Sequence, residues 1–417
     1  MKYLKLIIFA QLLFSAGFVF SQNEDENPKL EIDGFVRNYT GLLFESPNDF
    51  SIIQNTLNLE FRQQNDKVGF YVNPFIYQYP KGETDFRIRE MYVDFFTKKV
   101  DFRIGKQQII WGQADGVFIT DVVSPKDLTE FLLWDFNEIR LGVTALKVNY
   151  YLNDENSFEL VAIPNFQGTI SPDTGSIWRP TATFPAPPTF DYSKQDVPLR
   201  LGNGELFIKY SLSKAAIDLQ IIGGFTRDDD PAMHITKQLD ADMQLTGLEI
   251  QPQYHRLGLA GGSFSTDIGG FILRGEGALY FGKYFQTEDP KIGDALIQKD
   301  YVNFVVGLDK TIGDWKFSGQ FIQKIILDHN DFIQEDKTDN LATLLVNRTL
   351  FREKVRLELF SYFGLNNGDT FTRIRGYFFP YDGVSIELGT NLFFGNEGIF
   401  GEYDKNDMIY TRVKYNF

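Results

Sequence analysis

Basic side chains recur at alternate positions near the end of the sequence. Arg373 and Arg375 are two residues apart, and so are Arg412 and Lys414, while Arg356 precedes both pairs. In an extended strand, residues two apart point to the same face, so each pair would present its cations together. Guanidinium groups bind carboxylate and phosphate groups through paired hydrogen bonds. This spacing therefore predicts the recognition of anionic groups and not covalent catalysis.

Seven further residues complete the candidate binding or constriction set. They lie on predicted strands whose polar face would line one interior, or they frame a long loop between two such strands. The seven are Arg103, Gln107, Trp111, Trp134, Arg140, Arg274 and Glu276. A structural alternative stays open, in which the arginines pair across strands with Glu276, Glu358 and Glu387 and only stiffen the wall.

Enzymatic chemistry has little support in the sequence. Three dispersed histidines show no metal-ligand spacing, and cysteine does not occur. The run from Gly261 to Ser265 is not a nucleophile elbow. A barrel lipase would assemble serine and histidine across strands without a local motif, and His255 would be its candidate base. We expect no enzymatic activity, no cofactor and no metal site.

The N-terminus has the pattern of a secretory signal. Lys2 and Lys5 precede an apolar run from Leu6 to Phe20, and a cleavage site follows at Ser21. The alternative is a membrane anchor, but the apolar run is short against the roughly 20 residues of a spanning helix. Residues 1–21 are thus predicted as a signal peptide and 22–30 as a periplasmic linker. The formal net charge of −15 makes nucleic acid a poor partner.

Period-2 alternation then continues to the last residue, and no helix-period segment is long enough to form a layer. The sequence predicts an all-β fold with about 18 strands, the alternatives being 16 or 14. The predicted strands lie near 31–45, 50–63, 67–78, 85–97, 99–110, 137–151, 156–165, 203–213, 215–227, 245–260, 268–284, 300–311, 314–327, 340–350, 353–365, 370–380, 383–395 and 407–417.

The connections between these strands alternate between short turns and long polar loops. Outer-membrane barrels have this asymmetry, with short periplasmic turns and longer extracellular loops. A soluble barrel would place its apolar side chains inside, so the sense of the alternation is open in the sequence alone. The signal, the loop pattern and the 41 Phe and 20 Tyr residues favour the membrane. We therefore predict that residues 31–417 form one transmembrane, antiparallel, up-and-down β-barrel.

The loop at about 111–136 interrupts the alternation with a helix pattern. Ser124 is a candidate N-cap, followed by Pro125 and Asp127 in a capping pattern. Leu128, Phe131 and Leu132 would then share one helix face. An apolar helix face in an all-β chain needs a buried surface, so we predict that this short helix-containing loop folds into the mouth of the barrel.

Several short motifs resemble known outer-membrane proteins. The terminal strand ending in Phe417 resembles the closing strand of Gram-negative outer-membrane proteins, which implies recognition by the barrel-assembly machinery. A larger part of the chain resembles a porin-like Gram-negative outer-membrane β-barrel family of uncharacterised function, with a weaker likeness to alginate-export barrels. That resemblance implies a transport barrel with no particular substrate. Its motifs lie at residues 103–107, 111–112, 124–128, 274–278 and 394–401.

Together these features predict a porin-like channel in the Gram-negative outer membrane. It would pass small, anionic or amphiphilic solutes by diffusion, with selectivity set by the inward loop and an arginine-rich lumen. Alternatives are a surface adhesion or partner-docking barrel, a component of an envelope export system and, more remotely, an outer-membrane lipase. The expected partners are outer-membrane lipid and lipopolysaccharide, the assembly machinery and small solutes. The sequence leaves substrate, transport direction and oligomeric state open.

Overall fold

The computed structural model describes residues 29–45, 49–181 and 183–417, without the side chain of Lys81. The predicted signal peptide and residues 22–28 of the predicted linker lie outside these residues. In the described part of the chain, no helix is long and apolar enough to cross a membrane.

Eighteen strands form one closed antiparallel sheet. Each strand pairs with the next barrel strand along the chain, and the last pairs with the first from Phe35–Asn416 to Leu43–Met408. The predicted fold class and strand number are therefore confirmed. The barrel strands are β1 (Glu31–Leu43), β2 (Phe50–Gln64), β3 (Val68–Gln78), β4 (Thr84–Phe95), β5 (Val100–Gln107), β6 (Val143–Tyr151), β7 (Asn156–Ile163), β9 (Glu205–Lys214), β10 (Ile217–Arg227), β13 (Arg256–Ile268), β14 (Phe271–Gln286), β15 (Leu296–Ile312), β16 (Trp315–Ile326), β17 (Thr338–Leu350), β18 (Val355–Gly364), β19 (Thr370–Phe378), β20 (Val384–Phe394) and β21 (Met408–Asn416).

The barrel is apolar outside and polar inside. Along β21, Val413 and Tyr415 are exposed on the outer face, whereas Arg412 is buried on the inner face. The same alternation occurs in β20, where Leu388 is exposed and Glu387 is buried. An apolar belt around a polar interior suits a barrel in lipid, because hydrocarbon excludes charged side chains and unpaired backbone groups.

The two rims of the barrel differ. At one rim, turns of two to five residues join the strands, as at Gly269 and Gly270, whose φ values of +61° and +78° suit a tight hairpin turn. At the other rim lie the long connections, including residues 108–142 and 164–204. By the rule for outer-membrane barrels, we take the long-loop rim as the extracellular one.

A small second sheet stands on the long-loop rim. Its strands are β8 (Pro188–Phe190), β11 (Ala232–Leu239) and β12 (Leu245–Gln253), with β12 antiparallel to β11 and parallel to β8. The predicted strand at 245–260 was therefore wrong, because its first half is β12 and the barrel strand β13 starts only at Arg256. The apolar alternation runs through both strands, which hides the break between them.

Among the described residues, helical structure is limited to single turns. Two short α-helices cover Phe136–Ile139 and Gly398–Gly401, and 3-10 turns cover Pro80–Gly82, Leu201–Asn203 and Asp404–Asn406. The predicted helix after Ser124 was wrong, since Phe131 has a φ of +51° and the backbone of Lys126 and Asp127 forms strand-like bridges. The Ser124 hydroxyl accepts a hydrogen bond from the Ile109 amide instead of capping a helix. Tertiary pairing thus overrides the local capping signal.

Candidate functional site in the barrel lumen

Residues 108–142, which connect β5 to β6, are called the crossing segment here because they reach barrel strands all round the ring. Among these strands, β7 and β19 lie on opposite sides of the ring, so the segment is held from both sides. Its side-chain and carbonyl partners belong to β1, β4, β7, β14, β16, β18, β19 and β21.

On one side, β14 holds the crossing segment. The buried carboxylate of Glu276 accepts hydrogen bonds from the Gln113 amide, from the Thr120 amide at 3.3 Å and from the Thr120 hydroxyl at 2.8 Å. Arg274 donates to the Gln113 carbonyl at 2.7 Å and pairs with Asp115. These two side chains of one strand therefore fix residues 113–120 against the wall.

On the other side, arginines of β19 and β21 hold the backbone that follows Phe131. Arg373 donates to the Leu132 carbonyl at 2.5 Å, and Arg412 donates to the Leu133 carbonyl at 2.9 Å. A guanidinium group that binds a carbonyl directs its charge at the segment and not at a solute.

The carboxylate of Asp135 lies between two of these arginines. Its Oδ1 is 3.2 Å from Arg412 and 3.6 Å from Arg375. Burial alone would raise the pKa of Asp135, but Arg412 and Arg375 outweigh it and hold this pKa at about 2. Asp135 is therefore ionised near neutral pH.

Strand β1 supplies a third anchor. Both guanidinium nitrogens of Arg37 donate to Glu138, at 2.8 and 2.9 Å, in a buried bidentate pair. The anchor charges of the segment, Asp135 and Glu138, were not in the predicted set. Both lie within four residues of the predicted Trp134, but nothing in the sequence indicates which arginines they pair with.

A buried aromatic cluster closes over the segment from the long-loop rim. Phe131 lies 4.5 Å from Tyr403, measured between ring centroids, and also contacts Phe371 and Phe393. Tyr403 in turn donates its hydroxyl hydrogen to the Trp178 carbonyl at 3.0 Å. Two further loops thus pack on the crossing segment from above.

The predicted constriction residues fall into three groups in the structure. Arg274, Glu276, Arg373, Arg375 and Arg412 contact the crossing segment, as described above. Trp111, Trp134 and Arg140 belong to the segment, and Arg140 pairs with Asp121 at 2.5 Å. The remaining four, Arg103, Gln107, Arg356 and Lys414, lie on other parts of the wall.

Three of the predicted residues, one of them Trp111 of the crossing segment, are committed to contacts with the wall. Arg103 forms a bidentate pair with Asp94, Gln107 is fully buried and donates to the Ala145 carbonyl at 3.1 Å, and Trp111 donates to Glu159. By contrast, Arg356 and Lys414 stack over Tyr377 and Phe35 at 4.0 and 4.1 Å. Neither has a carboxylate partner within 4.0 Å in the described part of the chain.

The proposed pairing of arginines with strand carboxylates is correct in part. Arg375 pairs with Glu358, and Arg412 lies 3.7 Å from Glu387. Glu276, however, binds segment amides instead of an arginine. In the pair formed by β1 and β21, Arg37 lies opposite Lys414, whereas Arg412 lies opposite Tyr39, two residues further along β1.

A cavity of about 340 Å³ lies beside the segment, between β3, β4 and β5. Trp134, Arg140, Phe75 and Tyr77 line it together with two cations that were not in the predicted set, Arg89 and Lys106. Pro74 is a signal that could have drawn attention to this region. A proline inside a strand often marks a bulge, and the register of β3 and β4 shifts there.

The two histidines nearest each other form a surface cluster. His234 Nε2 lies 2.9 Å from His255 Nε2, and His234 Nδ1 lies 2.9 Å from Asp294. Neither ring contacts a serine hydroxyl among the described hydrogen bonds. No group of three or more metal-ligating side chains occurs in the described ranges.

Comparison with solved structures places the fold among outer-membrane proteins. OccAB4 of Acinetobacter baumannii superposes with a TM-score of 0.55 at 8% identity, covering 95% of this chain and 99% of that chain. OpdK of Pseudomonas aeruginosa gives 0.53 at 9% identity, covering 93% and 99%. OccK8 (OprE) of the same organism gives 0.52 at 9%, covering 93% and 98%. At such identities the likeness establishes the barrel fold alone.

Sequence comparison adds the family. No curated protein sequence matches the chain. Residues 80–377 match a family described as a protein of unknown function (DUF1302), and these residues include the crossing segment and most of the wall. The predicted membership of an uncharacterised barrel family is confirmed, whereas the weaker likeness to alginate-export barrels stays a prediction. The chain belongs to the DUF1302 family.

Proposed function

We propose that the protein is an outer-membrane channel that passes small solutes by diffusion through a lumen narrowed by the crossing segment. The observation that carries this proposal is a single segment anchored to opposite sides of a closed 18-strand ring. The apolar outer face and the polar inner face support insertion in the outer membrane. The likeness of the fold to OccAB4 and OpdK supports the same conclusion.

We further propose that the lumen favours anionic solutes. Most arginines near the segment are neutralised by carboxylates or bound to carbonyls. Inward or cavity-lining cations that have no carboxylate oxygen within 4.0 Å among the described residues include Arg89, Lys106, Arg356 and Lys414. Cations that no carboxylate binds directly attract anions into a narrow lumen, as charged rings do in other channels. One of the solved structures is of OpdK with vanillate, which makes aromatic carboxylates suitable probes here.

The test is the zero-current potential of the purified protein in a planar bilayer under a KCl gradient. The proposal expects the sign that reports chloride preference. Replacing Arg356 and Lys414 by Gln should move the potential toward cation preference. A double Gln variant of Lys98 and Lys99, which are exposed in the short turn between β4 and β5, removes the same charge outside the lumen and is the matched control. Equal cation and anion permeability in the unmodified protein would contradict the anion preference.

The three-stranded sheet on the long-loop rim favours a second function, the docking of a partner at the cell surface. Its strands β8, β11 and β12 pair through backbone hydrogen bonds and present a rigid platform outside the barrel wall. A protein that inserts in bilayers yet conducts no ions would support docking and contradict the channel.

A further inference from the structure

The barrel wall is shorter along the membrane normal where strands β5 and β7 lie. Strands β5 and β7 have 8 residues each, fewer than the roughly 9–11 that a tilted strand needs to cross a membrane. At about 3.3 Å per residue and a tilt of about 40°, they rise only about 20 Å, less than the roughly 25 Å apolar band of such barrels. The wall therefore has a notch that reaches into the outer leaflet.

Strand β4 forms one edge of this notch. It pairs with β5 only from Met91 to Phe95, so its extracellular half, Thr84–Glu90, extends beyond the end of β5. On its other edge this half of β4 is paired with β3 except at Arg89, where the register shifts. Seven residues of β4 thus present an edge without a partner strand toward the notch.

Loop residues fill the notch without joining β4. Residues 125–128 and 139–142 and Ile170 form a small patch with backbone hydrogen bonds of its own, from Asp127 to the Ile139 carbonyl at 2.6 Å and from Leu128 to the Ile170 carbonyl at 2.8 Å. None of the described backbone hydrogen bonds connects this patch with Thr84–Glu90. Contacts of this half of β4 with the crossing segment, across the seam between them, include the Arg87–Asp127 ion pair at 2.7 Å, the hydrogen bond from the Gln108 amide to Glu90 at 2.8 Å, and Gly142 against the Arg89 carbonyl.

The cavity of about 340 Å³ lies on this seam and is lined from both sides of the wall. Phe86, which is 52% exposed, and Ile170, which is 39% exposed, line it from the lipid side. Trp134 and Tyr77, which are buried and face the lumen, line it from within. The cavity is therefore lined by residues of both faces of the wall.

Two cations that have no carboxylate oxygen within 4.0 Å among the described residues line this cavity, together with the carboxylates of Asp127 and Glu138. The Arg89 guanidinium stacks over Phe75 at 4.0 Å, and Lys106 lines the same cavity. The other cations of the cavity are compensated, since Arg87 pairs with Asp127 and Arg140 pairs with Asp121. Arg89 and Lys106 are flanked by aromatic and aliphatic side chains. Two cations in such surroundings fit a ligand with one anionic head and an apolar tail.

We propose that this seam is a lateral port, through which an amphiphilic carboxylate exchanges between the lumen and the outer leaflet. The head would bind Arg89 and Lys106, while the tail would lie along Phe86 and Ile170 toward lipid. The inference rests on the proposed channel function and names its solute class. A membrane lipid with a phosphate head has related chemistry and is the competing source of a ligand.

Binding of a fluorescent fatty acid, 11-(dansylamino)undecanoate, to the protein in lipid nanodiscs tests the port. Unmodified protein should bind the probe. A double Gln variant of Arg89 and Lys106 should bind at least about tenfold more weakly, since it loses two charge-assisted contacts. The double Gln variant of Lys98 and Lys99, at the opposite end of the same hairpin, should bind like the unmodified protein.

A second readout tests the lateral opening. Lipids with a nitroxide on the acyl chain should quench the bound probe if the cavity opens to the bilayer. An absence of quenching would show that the bound probe is not accessible from the bilayer, and would overturn the proposed port. Binding of vesicle phosphatidate without binding of the fatty acid would also overturn it, because the cations would then hold a lipid head group.

Conductance in planar bilayers separates this proposal from the channel itself. If the protein conducts ions but binds no fatty acid, the port is wrong and the channel stands. If it conducts no ions, the channel proposal fails, and with it the exchange that the port would serve.

Discussion

Replacing Glu276 by Ala should release one side of the crossing segment. Glu276 is 6% exposed, and its carboxylate accepts hydrogen bonds from the Gln113 amide and from the amide and hydroxyl of Thr120. The variant leaves these donors inside the barrel without an acceptor. Arg274 still binds the Gln113 carbonyl and Asp115, so the release should be confined to residues 113–120.

The magnitude follows from the number of lost contacts. Hydrogen bonds to a charged group contribute about 1.5–3 kcal/mol each, and three of them end on this carboxylate. Water in the lumen will replace part of that sum, so about 2–4 kcal/mol is a fair net loss for the docked state. A loss of that size shifts the docking equilibrium about 30- to 1,000-fold toward the released state.

Single-channel recording measures the release. The Glu276→Ala channel should show larger open currents or frequent transitions to a larger level, because residues 113–120 no longer occupy the lumen continuously. Glu205→Ala is the matched control, since Glu205 is 7% exposed but accepts its hydrogen bonds from Thr226 and Arg227 of the neighbouring wall strand. Identical current levels and noise in the Glu276→Ala, Glu205→Ala and unmodified channels would refute the anchoring role.

Three further predictions concern stability and pH. Arg412→Met leaves the buried Glu387 and the Asp135 carboxylate without this cation, so we expect the free energy of unfolding to fall by about 3–5 kcal/mol. Denaturant titration checks it, and an unchanged midpoint would contradict it. Phe131→Ala removes a 9% exposed ring from the aromatic cluster and should cost about 3–5 kcal/mol of local packing. Faster protease cleavage within residues 108–142 would show this, and equal cleavage rates would count against it. Burial raises the pKa of Glu130 from 4.5 to about 7. The Glu130 carboxyl has a pKa near 4.5 when the segment is released and near 7 when it is docked. The docked state therefore loses stability relative to the released state as pH rises from about 4.5 to about 7. Protease cleavage should accelerate between pH 5 and pH 8 in the unmodified protein and not in Glu130→Gln, and a pH-independent rate in both would exclude the effect.

The barrel itself could be predicted because its signal is local. Apolar and polar residues alternate on each strand, and this pattern, together with the asymmetry of the connections, needs no knowledge of distant contacts. The alternation did not reveal the boundary between β12 and β13, because it continues across the residues that separate these two strands. It also failed after Ser124, where local capping residues make tertiary bridges instead.

The site could be predicted as a set of residues but not as an arrangement. The arginines of β19 and β21 were recognised from their spacing, yet their partners are 241 and 279 residues away in the chain. Whether such a cation faces a solute, a carboxylate or a backbone carbonyl depends on where the crossing segment lies in the ring. Arg89 was missed because the bulge at Pro74 breaks the period-2 pattern in which inward residues are counted.

The most direct test of a lumen narrowed by the crossing segment is the conductance of a variant in which residues 116–134 are replaced by a short Gly/Ser linker. Asp115 and Asp135, which carry anchors on both sides, remain in that variant. We predict a conductance several-fold above that of the unmodified channel, with the same heat-stable barrel on gels. An unchanged conductance would show that the segment only caps the mouth, and would contradict the proposed constriction.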